Sequence, residues 1–189
     1  NDAYAVSTEH TFLFSANYGM TKKMKPLVSI IIPMKDQYKL SKQCVESIIR
    51  KTSYSKYEII ILNNRSEQLA TLQWLNRVER DYKQVRVINA DFEFNWSKLN
   101  NYGIQNAKGD VFVFMNNDTL VISEDWLDIL CDNALRDDVG VVGPMLLYRD
   151  GSLQHAGIIV GMGGWADHLF KEMMPVHYSS PYVSPVVSR

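Results

Sequence analysis

Between Val28 and Met115 the chain alternates two kinds of apolar pattern: short runs of β-branched and aliphatic residues, and stretches where apolar residues return every three or four positions. The first run, Val28-Ser29-Ile30-Ile31-Ile32, is closed by Pro33. Runs of this length without polar interruption predict a strand covered on both faces, as in a parallel sheet. Leu40, Cys44, Val45, Ile48 and Ile49 then recur at helical spacing, and Glu58 to Leu62 forms a second buried run, which together make a βαβ unit. The pattern repeats. A helix expected after Ser66, read as its N-cap, carries Leu69, Leu72, Leu75 and Val78 on one face and leads to a strand at Val85 to Ile88. A third helix, with Ser97 as cap and Leu99, Ile104 and Ala107 on its inner face, is expected to end at Gly109, before a buried strand from Val111 to Met115. Strands and helices in strict alternation predict an α/β fold, with a Rossmann-like, mostly parallel sheet flanked by helices.

Beyond Met115 the rhythm changes. Ser123 heads an acidic first turn (Glu124, Asp125) of a helix expected through Leu135, followed by a short strand at Val139 to Val142. Leu146 to Tyr148 and the segment from Ser152 flank Asp150-Gly151, a pair suited to a tight hairpin turn because glycine accepts positive φ. The sheet is therefore expected to become mixed towards the C-terminus. Residues 1–25 show no clear period and read as a lead-in or linker; 26–170 is the expected domain. Residues 171–189, with Pro175, Pro181 and Pro185, read as a loop tail. The chain opens with Asn1 rather than Met and stops at Arg189 shortly after an apolar pair, which suggests a piece of something longer.

Composition narrows the classes. At 189 residues, 46% of them hydrophobic, the chain has material for one ordinary core. Lys and Arg (20) nearly balance Asp and Glu (21), so no electrostatic footprint for nucleic acid is expected; the run Lys22, Lys23, Lys25 reads as a solvated linker. Cys44 and Cys131 lie far apart with no ligand spacing around them and read as buried thiols. There is no apolar stretch long enough to span a membrane and no secretory signal pattern, so cytoplasmic residence is expected, with the inner membrane face open to a parent protein anchored elsewhere.

Ligands of open parallel sheets bind beyond the carboxyl ends of the strands. Those ends here are Pro33-Met34-Lys35-Asp36, Asn63-Asn64-Arg65-Ser66, Asn89-Ala90-Asp91 and Asn116-Asn117-Asp118-Thr119. Neither the dinucleotide G-x-G-x-x-G nor the P-loop G-x-x-x-x-G-K-[ST] is present, and Gly161-Met162-Gly163-Gly164 opens no clear helix and reads as a turn. Asn116-Asn117-Asp118 is the informative element. A carboxylate held rigidly at the crevice mouth can share Mg2+ with substrate phosphates and water; equally, the same residues make an ordinary turn and helix start.

The segments VSIIIPMKDQ, EIIILNNRSE, FNWSKLNNYGIQNAKGDVFVFMNNDT and GVVGPMLLYRDGSLQHAGIIVG, in this order and spacing, resemble family-2 glycosyltransferases of the GT-A fold, in particular the rhamnosyltransferase-like and polysaccharide-biosynthesis subgroup. The resemblance runs from about Lys25 to Phe170. It implies that Pro33, Lys35, Asp36 and Asn63 face the base and ribose of a UDP- or dTDP-sugar, and that Asn100 and Asn101 contact the nucleotide. It also implies that Asn116, Asn117 and Asp118 stand for the family's D-x-D element, with Asp118 holding Mg2+ or Mn2+ and Asn116 facing ribose or phosphate. Gln154 and His155 fall in a stretch that borders the donor sugar in similar enzymes, with a hydrogen-bonded structural histidine as the alternative. Asn63 and Asn116 both stand where relatives often carry aspartate, which exchanges a charge-assisted bond for a neutral amide bond.

The implied reaction is inverting, metal-dependent transfer of a sugar to a saccharide or lipid-linked saccharide acceptor. The base is expected beyond Arg189, since Asp167 and Glu172 have no supporting context. Two alternatives stand beside it: a noncatalytic nucleotide-sugar-binding module, and a sugar-phosphate nucleotidyltransferase, for which Pro33-Met34-Lys35-Asp36 is a poor substitute for a glycine- and basic-rich loop.

Overall fold

The computed structural model describes residues 4–7, 14–17, 25–168 and 171–173. The expected proline-bearing tail falls outside these apart from 171–173, as do Lys22, Lys23 and Phe170. Within the lead-in, β1 (Tyr4–Ser7) and β2 (Phe14–Asn17) pair antiparallel, an element that the aperiodic sequence there does not announce. The chain divides into two compact units, one of Thr21–Asp128 and one of Asn1–Met20 with Ile129–Arg189.

In the first unit the apolar runs become the sheet. β3 (Val28–Met34) is buried at all seven positions, and β4 (Tyr57–Asn63) at all but its first. Ile30, Ile31, Ile32, Ile59, Ile60 and Ile61 are each 0% exposed, and each contributes roughly 2 kcal/mol of burial. Helix α1 (Tyr38–Lys51) turns Ser41, Cys44, Val45 and Ile48 inward; α2 (Leu69–Asp81) does so with Thr71, Trp74, Leu75 and Val78. β5 (Val85–Asn89), α3 (Trp96–Asn106) and β6 (Val111–Phe114) follow. The four strands are parallel in the order β5-β4-β3-β6. Met34, Asn63 and Asn89 are aligned across the first three, whereas β6 stops at Phe114 opposite Ile31.

Two glycines allow close approach. A Cβ on Gly103 of α3 would lie 2.5 Å from Ile31 Cγ2, and one on Gly109 would lie 2.6 Å from the Leu27 carbonyl oxygen. Gly109 therefore lets the chain pass against β3. It is not the helix terminator expected from the sequence, because α3 ends at Asn106 with Ala107 as its C-cap.

Other expectations are also corrected. Ser97 is not the cap of α3: Asn95 is, its side chain accepting from Lys98 N. Ser66 does not cap α2 either, since the helix starts two residues later behind Gln68, which makes no side-chain cap bond. β6 is not buried, because it is an edge strand and Phe112 and Phe114 on one face are 38% and 50% exposed. The helix expected from Ser123 begins at Trp126 (α4, Trp126–Ala134); the Glu124 carbonyl is instead taken by the Ser53 amide and hydroxyl.

In the second unit, Val139 to Val142 forms no strand; Gly140 interrupts it and Val141 is 91% exposed. The expected hairpin is present: β7 (Leu146–Leu147) pairs antiparallel with β8 (Leu153–His155), and Gly151 has φ 87°. β9 (Ile158–Val160) and β10 (Ala166–His168) form another antiparallel pair around the turn Met162–Gly164. Cys44 and Cys131 are both buried, and neither forms a disulfide.

Candidate functional site

After β3 the chain goes one way across the sheet, to β4 and β5, and then returns through α3 to place β6 on the other side of β3. This reversal makes a crevice at the carboxyl ends of β3 and β6, the place where open α/β sheets take ligands. Pro33 is the penultimate residue of β3, and the loop after it carries Lys35 and Asp36; the turn after β6 carries Asn116, Asn117 and Asp118. Pro33 is buried and Lys35 exposed.

The β6 turn is fastened to α1. Asn117 Nδ2 donates to Ser41 Oγ at 2.9 Å, Cys44 Sγ donates to the Asn116 carbonyl at 3.6 Å, and Val121 N donates to Ser47 Oγ at 3.0 Å. The Met115 amide adds a bond to the Ile31 carbonyl at 3.0 Å. With Asn117 turned to the helix, Asn116 and Asp118 are left exposed on either side of it. Burial and the neighbouring Asp118 carboxylate push the Cys44 thiol up to about 12, so Asp118 stands close behind a neutral, inert sulfur.

Loops after β4 and β5 are tied in the same manner. Asn63 Nδ2 donates to Asn89 Oδ1 at 3.0 Å and Asn63 Oδ1 accepts from Ser66 N at 3.1 Å. Asn64 Nδ2 donates to the carbonyls of Ala90 and Phe92, both at 2.8 Å. Asp36 Oδ1 accepts from the amides of Glu67 and Gln68. Apart from the Asn63–Ser66 bond, these contacts join residues 26 or more apart and left no local signal in the sequence.

Asn100 and Asn101 separate. Asn100 is buried on α3, with Nδ2 bonded to the Trp96 carbonyl at 2.9 Å and Oδ1 without a partner among the described residues. Asn101 is exposed and lines a groove of about 400 Å³ with Phe92, Lys98 and Tyr102. Another groove, of about 340 Å³, lies between α1 and α2 at Tyr38, Lys42, Trp74 and Arg77. His155 belongs to the second unit, where its Nδ1 lies 2.8 Å from His168 Nδ1 with the rings edge to face. Burial, helped by His168, holds its pKa below the ordinary histidine value.

Among the described residues no group of three or more His, Cys, Asp and Glu could hold a metal by itself. Asp118 is one exposed carboxylate, so a cation held there would need phosphate oxygens and water for its other ligands. No helix among the described residues is long and apolar enough to cross a membrane.

Comparison with known proteins bears on the family and the fold. The family model described as Glycosyl transferase family 2 matches residues 29–174. An uncharacterized protein of Sinorhizobium fredii is 41% identical over 143 residues, which is 76% of this chain and 16% of that protein. The O-antigen biosynthesis protein RfbC of Myxococcus xanthus is 37% identical over 161 residues, 83% of this chain and 12% of that protein. Among solved structures, the mannosyltransferase PcManGT of Pyrobaculum calidifontis, in complex with GDP-Man and Mn2+, superposes with a TM-score of 0.56 at 18% identity, covering 61% of this chain and 34% of that one. That likeness is one of fold, the GT-A arrangement expected from the sequence. The chain thus spans about one sixth or less of the length of these two relatives.

Proposed function

This chain belongs to glycosyl transferase family 2, and from that premise we propose that it forms the donor-binding part of a glycosyltransferase of cell-surface polysaccharide biosynthesis. The donor is a UDP- or dTDP-sugar and the acceptor a saccharide or lipid-linked saccharide. The observation that carries this reading is the turn after β6: Asn116 and Asp118 exposed at the switch point, on backbone pinned to α1 by three polar contacts. Asp118 holds Mg2+ or Mn2+ together with the diphosphate, and Asn116 faces ribose or phosphate. Pro33, Lys35 and Asn63 border the base and ribose, and Asn101 and the Asn100 Oδ1, which has no partner among the described residues, offer amide contacts. The metal supplies positive charge against the departing nucleotide diphosphate. Transfer inverts the anomeric centre; the base that takes the acceptor's proton is assigned to none of these 189 residues. The Mn2+ and GDP-Man of the archaeal neighbour support metal use, and the polysaccharide setting leans on the O-antigen relative.

The test is calorimetric titration with UDP, dTDP and GDP, each with and without Mn2+ or Mg2+, on wild type and Asp118→Ala. Binding that needs metal and disappears in the variant supports the site; metal-independent binding that survives the substitution rejects Asp118 as the ligand. Metal alone is expected to bind too weakly to titrate, because one carboxylate without phosphate leaves the coordination shell to water.

A further inference from the structure

Asp36 lies in the loop between β3 and α1, and its neighbours occupy it without a ligand. Its Oδ1 accepts from Glu67 N at 3.0 Å and Gln68 N at 2.9 Å, while its own amide donates to Ser66 Oγ at 2.8 Å. Ser66 N bonds to Asn63 Oδ1, and Asn63 Nδ2 to Asn89 Oδ1. A continuous polar chain therefore runs from the loop after β3, through the loop after β4, to the end of β5. Backbone strain gathers in the same two loops. Asp36 and Gln37 have φ 54° and Arg65 has φ 59°, three of the four non-glycine residues with positive φ among the described residues. Such conformations persist where the surroundings over-determine them, and they cluster at functional sites. α2 has no side-chain cap of its own, and Asp36, 31 residues upstream, instead holds the two amides that lead the chain into it, Glu67 N and Gln68 N.

We propose that Asp36 is a positioning residue: its carboxylate clamps the β3–α1 and β4–α2 loops together and presets the crevice, instead of contacting the donor through its charge. The consequence for binding rests on the donor-site reading above; the clamp itself does not. An acceptor of amide bonds can be replaced by the oxygen of an asparagine, which caps helices as well as aspartate does, whereas a group acting through its charge cannot.

The full chain is compared with Asp36→Asn and Asp36→Ala by two readouts: hydrogen exchange of the Glu67 and Gln68 amides without ligand, and titration with UDP, dTDP and GDP in the presence of Mn2+. Asp36→Ala is expected to lose protection at both amides and to weaken nucleotide binding by roughly five- to tenfold, the size of a lost cap. Asp36→Asn is expected to keep both, with affinity within about twofold of wild type. Protection unchanged in Asp36→Ala overturns the proposal. So does an Asp36→Asn variant that keeps its amides protected and still binds as weakly as the alanine variant, and this comparison stands on the asparagine variant against wild type if Asp36→Ala does not fold. A wild-type chain that binds none of the three nucleotides sinks the donor-site reading, and amide exchange then decides the clamp separately.

Discussion

Asn100 is satisfied on one side only: its amide nitrogen reaches the Trp96 carbonyl, and its buried oxygen has no partner among the described residues. A bond of this kind contributes about 1 kcal/mol, while an orphaned buried acceptor costs about 1–3 kcal/mol. Asn100→Ala removes both, so its urea-unfolding free energy is expected within about 1 kcal/mol of wild type. If a nucleotide donor group normally meets that oxygen, the same variant binds UDP more weakly despite its unchanged stability; titration separates the two effects. Cys44 gives a second prediction at this scale. With its thiol pushed up to about 12 by burial and by Asp118, almost no thiolate exists near neutral pH. Iodoacetamide followed by peptide mass analysis should leave Cys44 unmodified in the folded chain and label it in urea.

Among the elements, the amino ends of the strands are tied as firmly as their carboxyl ends. Glu58 of β4 accepts from Ser29 Oγ of β3 at 2.8 Å, from Lys108 N at 2.7 Å and from Arg86 of β5 at 3.1 Å. Burial pushes the Glu58 carboxyl up, but the Lys108, Ser29 and Arg86 bonds outweigh it and hold the pKa below the ordinary glutamate value. A carboxyl with a lowered folded pKa contributes stability that is fully present above its unfolded pKa and lost as pH falls through the folded one. Glu58→Gln should therefore unfold at lower urea at pH 7, by about 2 kcal/mol. The gap to wild type should narrow as the buffer is taken below the ordinary glutamate range. Gly103→Val, which drives side-chain atoms into Ile31, should cost more, about 3 kcal/mol or failure to fold.

The strands β3 and β4, the inward faces of α1 and α2, and the hairpin at Gly151 were legible because each is written in local periodicity or turn chemistry. The caps were not: Ser66 and Ser97 look like caps, yet the approach to α2 is held by Asp36 of the neighbouring loop and α3 is capped by Asn95. Asn116 to Asp118 could be located from its place after a strand, but not the bond from Asn117 to Ser41. A contact between distant residues leaves no spacing to read. The edge position of β6 and the failure of Val139 to Val142 to pair have the same cause, since only the assembled sheet decides which apolar runs find neighbours.

At the scale of the whole chain, ligand and stability are linked. If the crevice takes a nucleotide with its metal, free ligand at about a hundred times Kd stabilises the folded state by about 2.7 kcal/mol. For a chain of this size that is a rise of roughly 5–10 °C in Tm, expected with UDP and Mn2+ together, smaller with either alone, and absent in Asp118→Ala; differential scanning fluorimetry reads it directly. Ser41, Cys44 and Ser47 follow one another at intervals of three along α1, and each takes one contact from the segment after β6. Helix and turn are consequently fastened to one another on both sides of Asp118, which stays open to water. The entropy of immobilising that carboxylate is spent when the chain folds, leaving less to be spent when a hydrated cation arrives.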